Sequence, residues 1–226
     1  MPEFRLEMYS FTEENYLKAV LFLSHENAKG ASTNAIARRL ETTPASVSDM
    51  LRRLAEKELL IYRKYQGVKL TDRGRAVAMR TLRKHRLWEV FLVEKLGFGW
   101  EEVHEVAEQL EHIQSVKLTD QLEAFLGHPE YDPHGDPIPD KNGQLPQRSE
   151  LLLSDCRPGD RLLVRGVKDS SREFLQYLEK LGIGLGTRIE VTDREKFDGS
   201  VQARLGEEER QMLSQQVCNN LFVKRI

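Results

Sequence analysis

A chain of 226 residues, 39% hydrophobic and 31% charged, has globular rather than disordered composition. At about 150 residues per domain, its length suits one large domain or two to three small ones. The longest apolar run, Ala19 to Leu23, is far too short to cross a bilayer, and the acidic start lacks the basic and apolar stretches of a secretory signal. A cytoplasmic protein with no membrane partner is therefore expected.

Two cysteines, Cys156 and Cys218, stand in no metal-ligand spacing and speak against a disulfide framework. The net charge of −2 conceals an asymmetry: residues 1–85 carry 16 Lys and Arg against 10 Asp and Glu, and the remainder carries 18 against 26. A basic front on an acidic body suits a front end that meets a polyanion, although an uneven solvated surface would look the same.

In chain order, Glu14–Leu23 has apolar Tyr16, Leu17, Val20, Leu21 and Leu23 at helical spacing. Thr33–Leu40 is a second short amphipathic helix. A turn through Glu41, Thr42 and Thr43 follows, and Pro44 suits the first turn of a third helix, Pro44–Lys57. That helix places Val47, Met50, Leu51 and Leu54 on one stripe and leaves Ser46, Ser48, Asp49, Arg52 and Arg53 outside. Two β segments, Leu60–Lys64 and Val68–Thr71, then flank Tyr65-Gln66-Gly67, the signal of a hairpin whose tip forms a wing.

Together these segments predict a winged helix-turn-helix. Ser46, Ser48 and Asp49 would lie near bases in the major groove with Arg52 or Arg53 nearer the backbone, and Thr43, Pro44 and Gln66 complete the expected DNA-binding set. A helical hairpin with basic decoration is the alternative reading of the same residues.

Leu82–Leu96 and Glu101–Gln114 continue the helical periodicity. Five of the eight prolines then fall within Gly127–Ser149, which reads as an ordered loop and linker. Beyond it, Arg161–Val167, Arg188–Thr192, Val201–Leu205 and Leu221–Ile226 read as strands, with a helix at Ser171–Leu181.

Five of the six histidines lie between His85 and His134, most with acids at helical spacing. His85 and Glu89 are one turn apart. At about 100° per residue His104, Glu108, Glu111 and His112 share one stripe of a continuous helix. Two such helices face to face could surround a divalent cation, and the absence of Cys and Met from the stripe favours Mn²⁺ or Fe²⁺ over a thiolate site. A charged, solvated helix face remains the competing explanation.

Enzyme motifs are missing: His104-Glu105 is followed by Glu108 rather than the second His of a zinc peptidase, and no GxSxG or phosphate-binding glycine loop occurs. The chain is not expected to be an enzyme. A metallohydrolase fused to a DNA-binding head would lack a recognisable activated nucleophile.

The order of helix-turn-helix, wing, HRLWEVFLVEKLG, EEVHEVAEQLEHIQS and HPEYDPHGDPIP resembles the diphtheria toxin repressor family of metal-dependent regulators, in particular its manganese transport branch. LLLSDCRPGD and LEKLGIGLGTRIEV resemble the Src-homology-3-like, ferrous-iron transport A-type domain that ends longer members.

The resemblance implies three parts in a mainly α fold with small β parts. These are a winged helix-turn-helix at 1–76, a helical dimerisation and metal-binding domain with its linker at 77–148, and a Src-homology-3-like β-barrel at 149–226. It also implies a homodimeric repressor of metal-uptake genes that binds palindromic double-stranded DNA when loaded with Mn²⁺ or Fe²⁺, with Zn²⁺, Co²⁺ or Cd²⁺ substituting in vitro. A metal-independent repressor whose stripe is only a dimer face is the rival.

Carried over by position, the implied ligands are His85, Glu89, His104, Glu108, Glu111 and His112, with Asp132 and His134 from the YDPHG loop and Glu173 from the C-terminal domain. Glu108 stands where the iron-responsive branch has Cys, which implies Mn²⁺. Asn15 stands where the family has a ligating Asp or Met. Lys18 replaces a ligating Glu of the short manganese regulators, and Ser170 replaces a ligating Glu of the iron branch.

Overall fold

The computed structural model describes residues 9–26, 30–63, 67–146, 151–206 and 210–226. They group into two compact units. The first holds the described residues up to His85 together with Glu108–Thr119 and Pro139–Gln144; the second holds Arg86–Ala107, Asp120–Ile138 and the described residues from Leu145 on.

In the first unit, α1 spans Phe11–Glu26, starting three residues before the predicted Glu14. Ser10 and Glu13 cap it reciprocally: Glu13 N donates to Ser10 Oγ at 3.3 Å and Ser10 N donates to Glu13 Oε2 at 3.0 Å. Helices α2 (Thr33–Arg39) and α3 (Pro44–Glu56) are capped by Ser32 and Thr43, and Pro44 occupies the first turn of α3.

Strands β1 (Leu60–Arg63) and β2 (Gly67–Leu70) pair antiparallel, Leu60 opposite Leu70. Ala31 adds a bridge to Val68 on the same ribbon. Leu17, Ile36, Leu51, Leu54 and Leu59 are fully buried in the core that α1–α3 share with the β1–β2 ribbon, the predicted winged helix-turn-helix, whose wing tip at 64–66 lies outside the described residues.

Helix α4 spans Asp72–Leu96 and begins ten residues earlier than the periodicity alone indicates. Thr71 caps it, accepting from Gly74 N at 3.1 Å and donating to the Glu58 carbonyl at 2.7 Å. Gly74 lies so close to the hairpin that a Cβ would meet the Leu59 carbonyl oxygen at 1.7 Å.

Helix α5 covers only Val103–Leu110, so Glu111 and His112 lie in the turn beyond it. The single helical stripe expected from the spacing is therefore broken. Helix α6 (Val116–Phe125) follows, an element the sequence reading passed over.

In the second unit, Leu87, Val90, Leu122 and Ile138 form a small helical core. A larger core fills an antiparallel sheet of β3 (Leu151–Leu152), β4 (Arg161–Val167), β5 (Arg188–Arg194), β6 (Val201–Leu205), β7 (Arg210–Leu213) and β8 (Leu221–Arg225). The strand order is β3-β8-β4-β5-β6-β7. Helix α7 (Arg172–Lys180) buries Phe174, Leu175 and Leu178 in the sheet's core. Irregularities at Val164/Gly166 and Val191/Asp193 interrupt the register. The sheet is Src-homology-3-like but not closed, because β3 and β7 do not pair among the described residues.

The Gly74 contact predicts that Gly74→Ala forces α4 away from Leu59 and destabilises the protein by about 1–3 kcal/mol. Gly184→Ala, where a Cβ meets nothing within 4 Å, should change stability by less than about 0.5 kcal/mol. Thermal or urea unfolding of both variants measures the contrast.

Candidate metal centre

The ligand-type residues divide between the two units. In the second unit, Glu89 lies on α4 while Asp132 and His134 lie in the proline-rich loop. All three are buried, and their ligand atoms lie within 4.8 Å of one another. His104, on the exposed side of α5, brings Nδ1 to 3.3 Å from Glu89 Oε1.

The loop is held by its own backbone. Asp132 Oδ1 accepts from His134 N at 2.8 Å and from Asp136 N at 2.9 Å. The His134 carbonyl accepts from Val167 N of β4 at 2.8 Å. Gly135, at φ +82°, sits where a Cβ would come within 2.1 Å of the Arg165 carbonyl oxygen.

His134 Nε2 lies 2.6 Å from the Trp100 carbonyl. A carbonyl only accepts, so Nε2 carries a proton, and Nδ1, 3.8 Å from Glu89 Oε2, faces the carboxylates. Arg86 approaches Asp132 at 3.4 Å and Asp136 at 3.6 Å, and donates to the Pro137 carbonyl.

One guanidinium does not offset this crowding of acids. Burial, with Glu89 and Asp136 nearby, pushes the Asp132 carboxyl up to about 7. A buried set of two carboxylates and an imidazole, short of positive charge, fits a hard or borderline divalent cation. Neither cysteine joins the cluster; both are buried thiols, and burial raises Cys218 to about 11.

In the first unit, Glu111 is fully buried. Both its oxygens lie 2.7 Å from Lys18 Nζ, and Oε2 is 2.6 Å from His85 Nδ1. Burial pushes the Glu111 carboxyl up, but His85 and Lys18 outweigh it and hold the group below its ordinary range. Glu108 is half-exposed, 3.5 Å from Lys18.

His112 Nδ1 lies 2.6 Å from Glu14 Oε2, which leaves its Nε2 3.6 Å from Glu111 Oε1. Phe11 stacks on the His112 ring at 4.7 Å. Glu14 is also met by Lys84 at 3.5 Å and by Gln114 at 2.8 Å. Asn15 Oδ1 is buried without a hydrogen-bond partner among the described residues.

The sequence reading did not anticipate that Glu14, Lys84, Gln114, Arg86 and the Trp100 carbonyl take part in these networks. The one available signal was that Glu14 and Lys18 flank Asn15 on one face of α1. Glu173 is exposed on α7 and belongs to neither buried cluster.

On the outer face of α3 and its start, Thr43, Pro44, Ser46, Asp49, Arg52 and Arg53 are exposed and Ser48 is half-buried. Thr43 and Ser46 hydroxyls are 2.9 Å apart, and Ser48 donates to the Pro44 carbonyl at 2.9 Å. Asp49 pairs with Arg52 at 2.7 Å, whereas Arg53 has no ion pair among the described residues. Gln66 lies outside the described residues.

A winged helix-turn-helix on a chain with a buried nitrogen- and oxygen-donor cluster defines a class of metal-binding, DNA-binding proteins. Residues 8–68 match the family described as iron dependent repressor, N-terminal DNA binding domain. Residues 71–140 match its metal binding and dimerisation domain, and residues 151–225 match the FeoA domain.

The iron-dependent repressor IdeR of Mycobacterium bovis is 37% identical over 57% of this chain and 55% of its own length. The diphtheria toxin repressor of Corynebacterium jeikeium is 36% identical over 73% of this chain and 60% of its own length. The chain thus spans little more than half the length of these curated relatives. A solved structure described as a manganese-dependent transcriptional repressor in complex with manganese is 35% identical, covers 95% of this chain and 100% of its own, and superposes with a TM-score of 0.79. The chain belongs to the iron-dependent repressor family.

Because Gly135 lets His134 approach β4, Gly135→Ala should displace the loop and weaken divalent-cation binding by about 10–100-fold. Isothermal titration with Mn²⁺, alongside circular dichroism to verify folding, measures this loss.

Proposed function

We propose that this protein is a cytoplasmic, homodimeric transcriptional repressor of metal-uptake genes whose DNA binding is activated by Mn²⁺ or Fe²⁺. The observation that carries the reading is the buried Glu89–Asp132–His134 cluster, free of thiolate, in a member of the iron-dependent repressor family.

In this reading residues 1–76 bind DNA, 77–148 dimerise and sense metal, and 149–226 form the Src-homology-3-like part. Among the described residues no helix is long and apolar enough to cross a membrane. Exposed Leu96 and Phe125 offer apolar surface to a second copy.

Glu89, Asp132 and His134, with His104, would hold one cation. Asn15, Glu108, Glu111 and His112, with His85 beside them, are the donors of a second. A bound cation supplies concentrated positive charge and a fixed arrangement of ligands. The protein's own contribution is to bury the carboxylates, fix the His134 tautomer through Trp100, and set α1 against the Glu108–His112 segment. Activation can be no larger than the difference in metal affinity between active and inactive arrangements. Mn²⁺ is favoured by the all-oxygen and nitrogen donors and by a solved relative described as a manganese complex.

The hypothesis for DNA is that α3 enters the major groove, with Ser46, Ser48 and Asp49 nearest the bases and Arg52 or Arg53 nearer the backbone. A dimer presents two such helices and calls for a palindromic operator.

Fluorescence anisotropy on palindromic promoter DNA of metal transporters should show binding tightened by Mn²⁺ and reversed by chelator. Arg53→Ala should weaken binding across sequences and lower the salt slope by about one unit. Binding indifferent to chelator would favour the metal-independent repressor. Equal affinity for scrambled and palindromic DNA, with metal saturating, would overturn the repressor reading.

A further inference from the structure

A buried carboxylate of the first unit is held by an ammonium supplied by the chain itself. Lys18 Nζ lies 2.7 Å from both oxygens of the fully buried Glu111 and 3.5 Å from Glu108, with only 10% of its side chain exposed. A cation equidistant from both oxygens of one carboxylate, with a second carboxylate alongside, stands where a chelated metal would share these donors.

Asn15, three residues before Lys18 and therefore on the same face of α1, holds a buried carbonyl oxygen with no partner among the described residues. One face of α1 thus presents an uncommitted metal-type donor beside a committed internal cation.

We propose that Lys18 is the residue that sets the metal threshold of this cluster: its ammonium occupies the anionic centre formed by Glu108 and Glu111, and a divalent cation enters only by displacing it. The proposal rests on the metal-activated reading above and concerns how that reading divides between the two units.

Displacement is costly on both sides. Glu111 cannot be left buried and unpaired, and a Lys18 that stays nearby repels the incoming dication. The Glu89–Asp132–His134 cluster already holds its ligand atoms within 4.8 Å of one another, with Arg86 at 3.4 Å from Asp132, so it fills first. Lys18 also gives the link between α1 and the Glu108–His112 segment a basal strength without metal.

The test is Mn²⁺ binding to the metal-stripped 226-residue chain, read by titration calorimetry and by the electron paramagnetic resonance signal of free Mn²⁺. The wild-type chain should show a tight class of sites that Asp132→Asn removes. Lys18→Met should add a class, or tighten the weak one, by about tenfold or more, which corresponds to about 1.4 kcal/mol. The gain should vanish in the Lys18→Met/Glu111→Gln double variant, and Lys18→Arg should behave as wild type.

Without metal, Lys18→Met should unfold at lower temperature than wild type and recover more on Mn²⁺ addition. Lys18→Gln carries the same comparison if the Met variant does not fold. Wild-type Mn²⁺ binding and metal-dependent DNA binding, with no gain in Lys18→Met or Lys18→Gln, overturn this proposal alone. A gain that survives Glu111→Gln also overturns it. Absence of Mn²⁺ binding by wild type and variants alike overturns both the proposal and the metal-activated reading.

Discussion

A carboxylate removed from water must be matched by positive charge or give up its own, and that constraint organises both units of this protein. Glu14, Glu89, Glu111 and Asp132 are all almost fully buried. Leaving one such group unpaired costs several kcal/mol, of the order of 3–5 where a buried partner is removed. The apolar cores explain where the helices pack; the buried acids explain which of their polar residues must meet.

The two units answer the constraint differently. In the first, the partners are covalently part of the chain: Lys18 and His85 meet Glu111, and Glu14 is met by Lys84 and hydrogen-bonded by His112 and Gln114. These contacts join α1 and α4 to the segment around His112, more than 90 residues further along than Glu14 and Lys18, within the same unit as the winged head. In the second, Arg86 stands 3.4 Å from Asp132, and burial with nearby acids still pushes the Asp132 carboxyl up to about 7. A cluster that cannot hold its negative charge with its own residues is the better receptor for an external cation. Family membership and electrostatics therefore point to the same kind of ligand from independent starting points.

Rigidity comes from backbone rather than from side chains at the second cluster. The loop is pinned by the Asp132 turn, by the His134 carbonyl on β4 and by the glycine approach at Gly135. Such fixing holds the candidate donors in place through the backbone before any ligand arrives. The α3 surface follows a similar plan: Thr43 and Pro44 fix the helix start, so the polar residues in its first turns sit on a defined scaffold.

The sequence by itself determined the winged head, because caps and hydrophobic spacing are local: Thr43, Pro44 and the Val47–Leu51–Leu54 stripe specify α3 without outside help. It also determined strands β4 and β6 to the residue, and the list of candidate donors through family resemblance. The single helical stripe did not survive, because α5 ends at Leu110 and the turn after it sends Glu111 and His112 toward different partners from those of His104. Helix periodicity assumes a continuous helix and carries no information about where it stops. The open sheet edge was equally invisible, since strand pairing is a long-range property. What only the tertiary structure decided is which charge neutralises which: Lys18 reads as a replaced ligand in the sequence, and becomes an internal cation only when folding carries it 93 residues along the chain to Glu111. Pairing of buried charges depends on distance in space, and no local pattern encodes that distance.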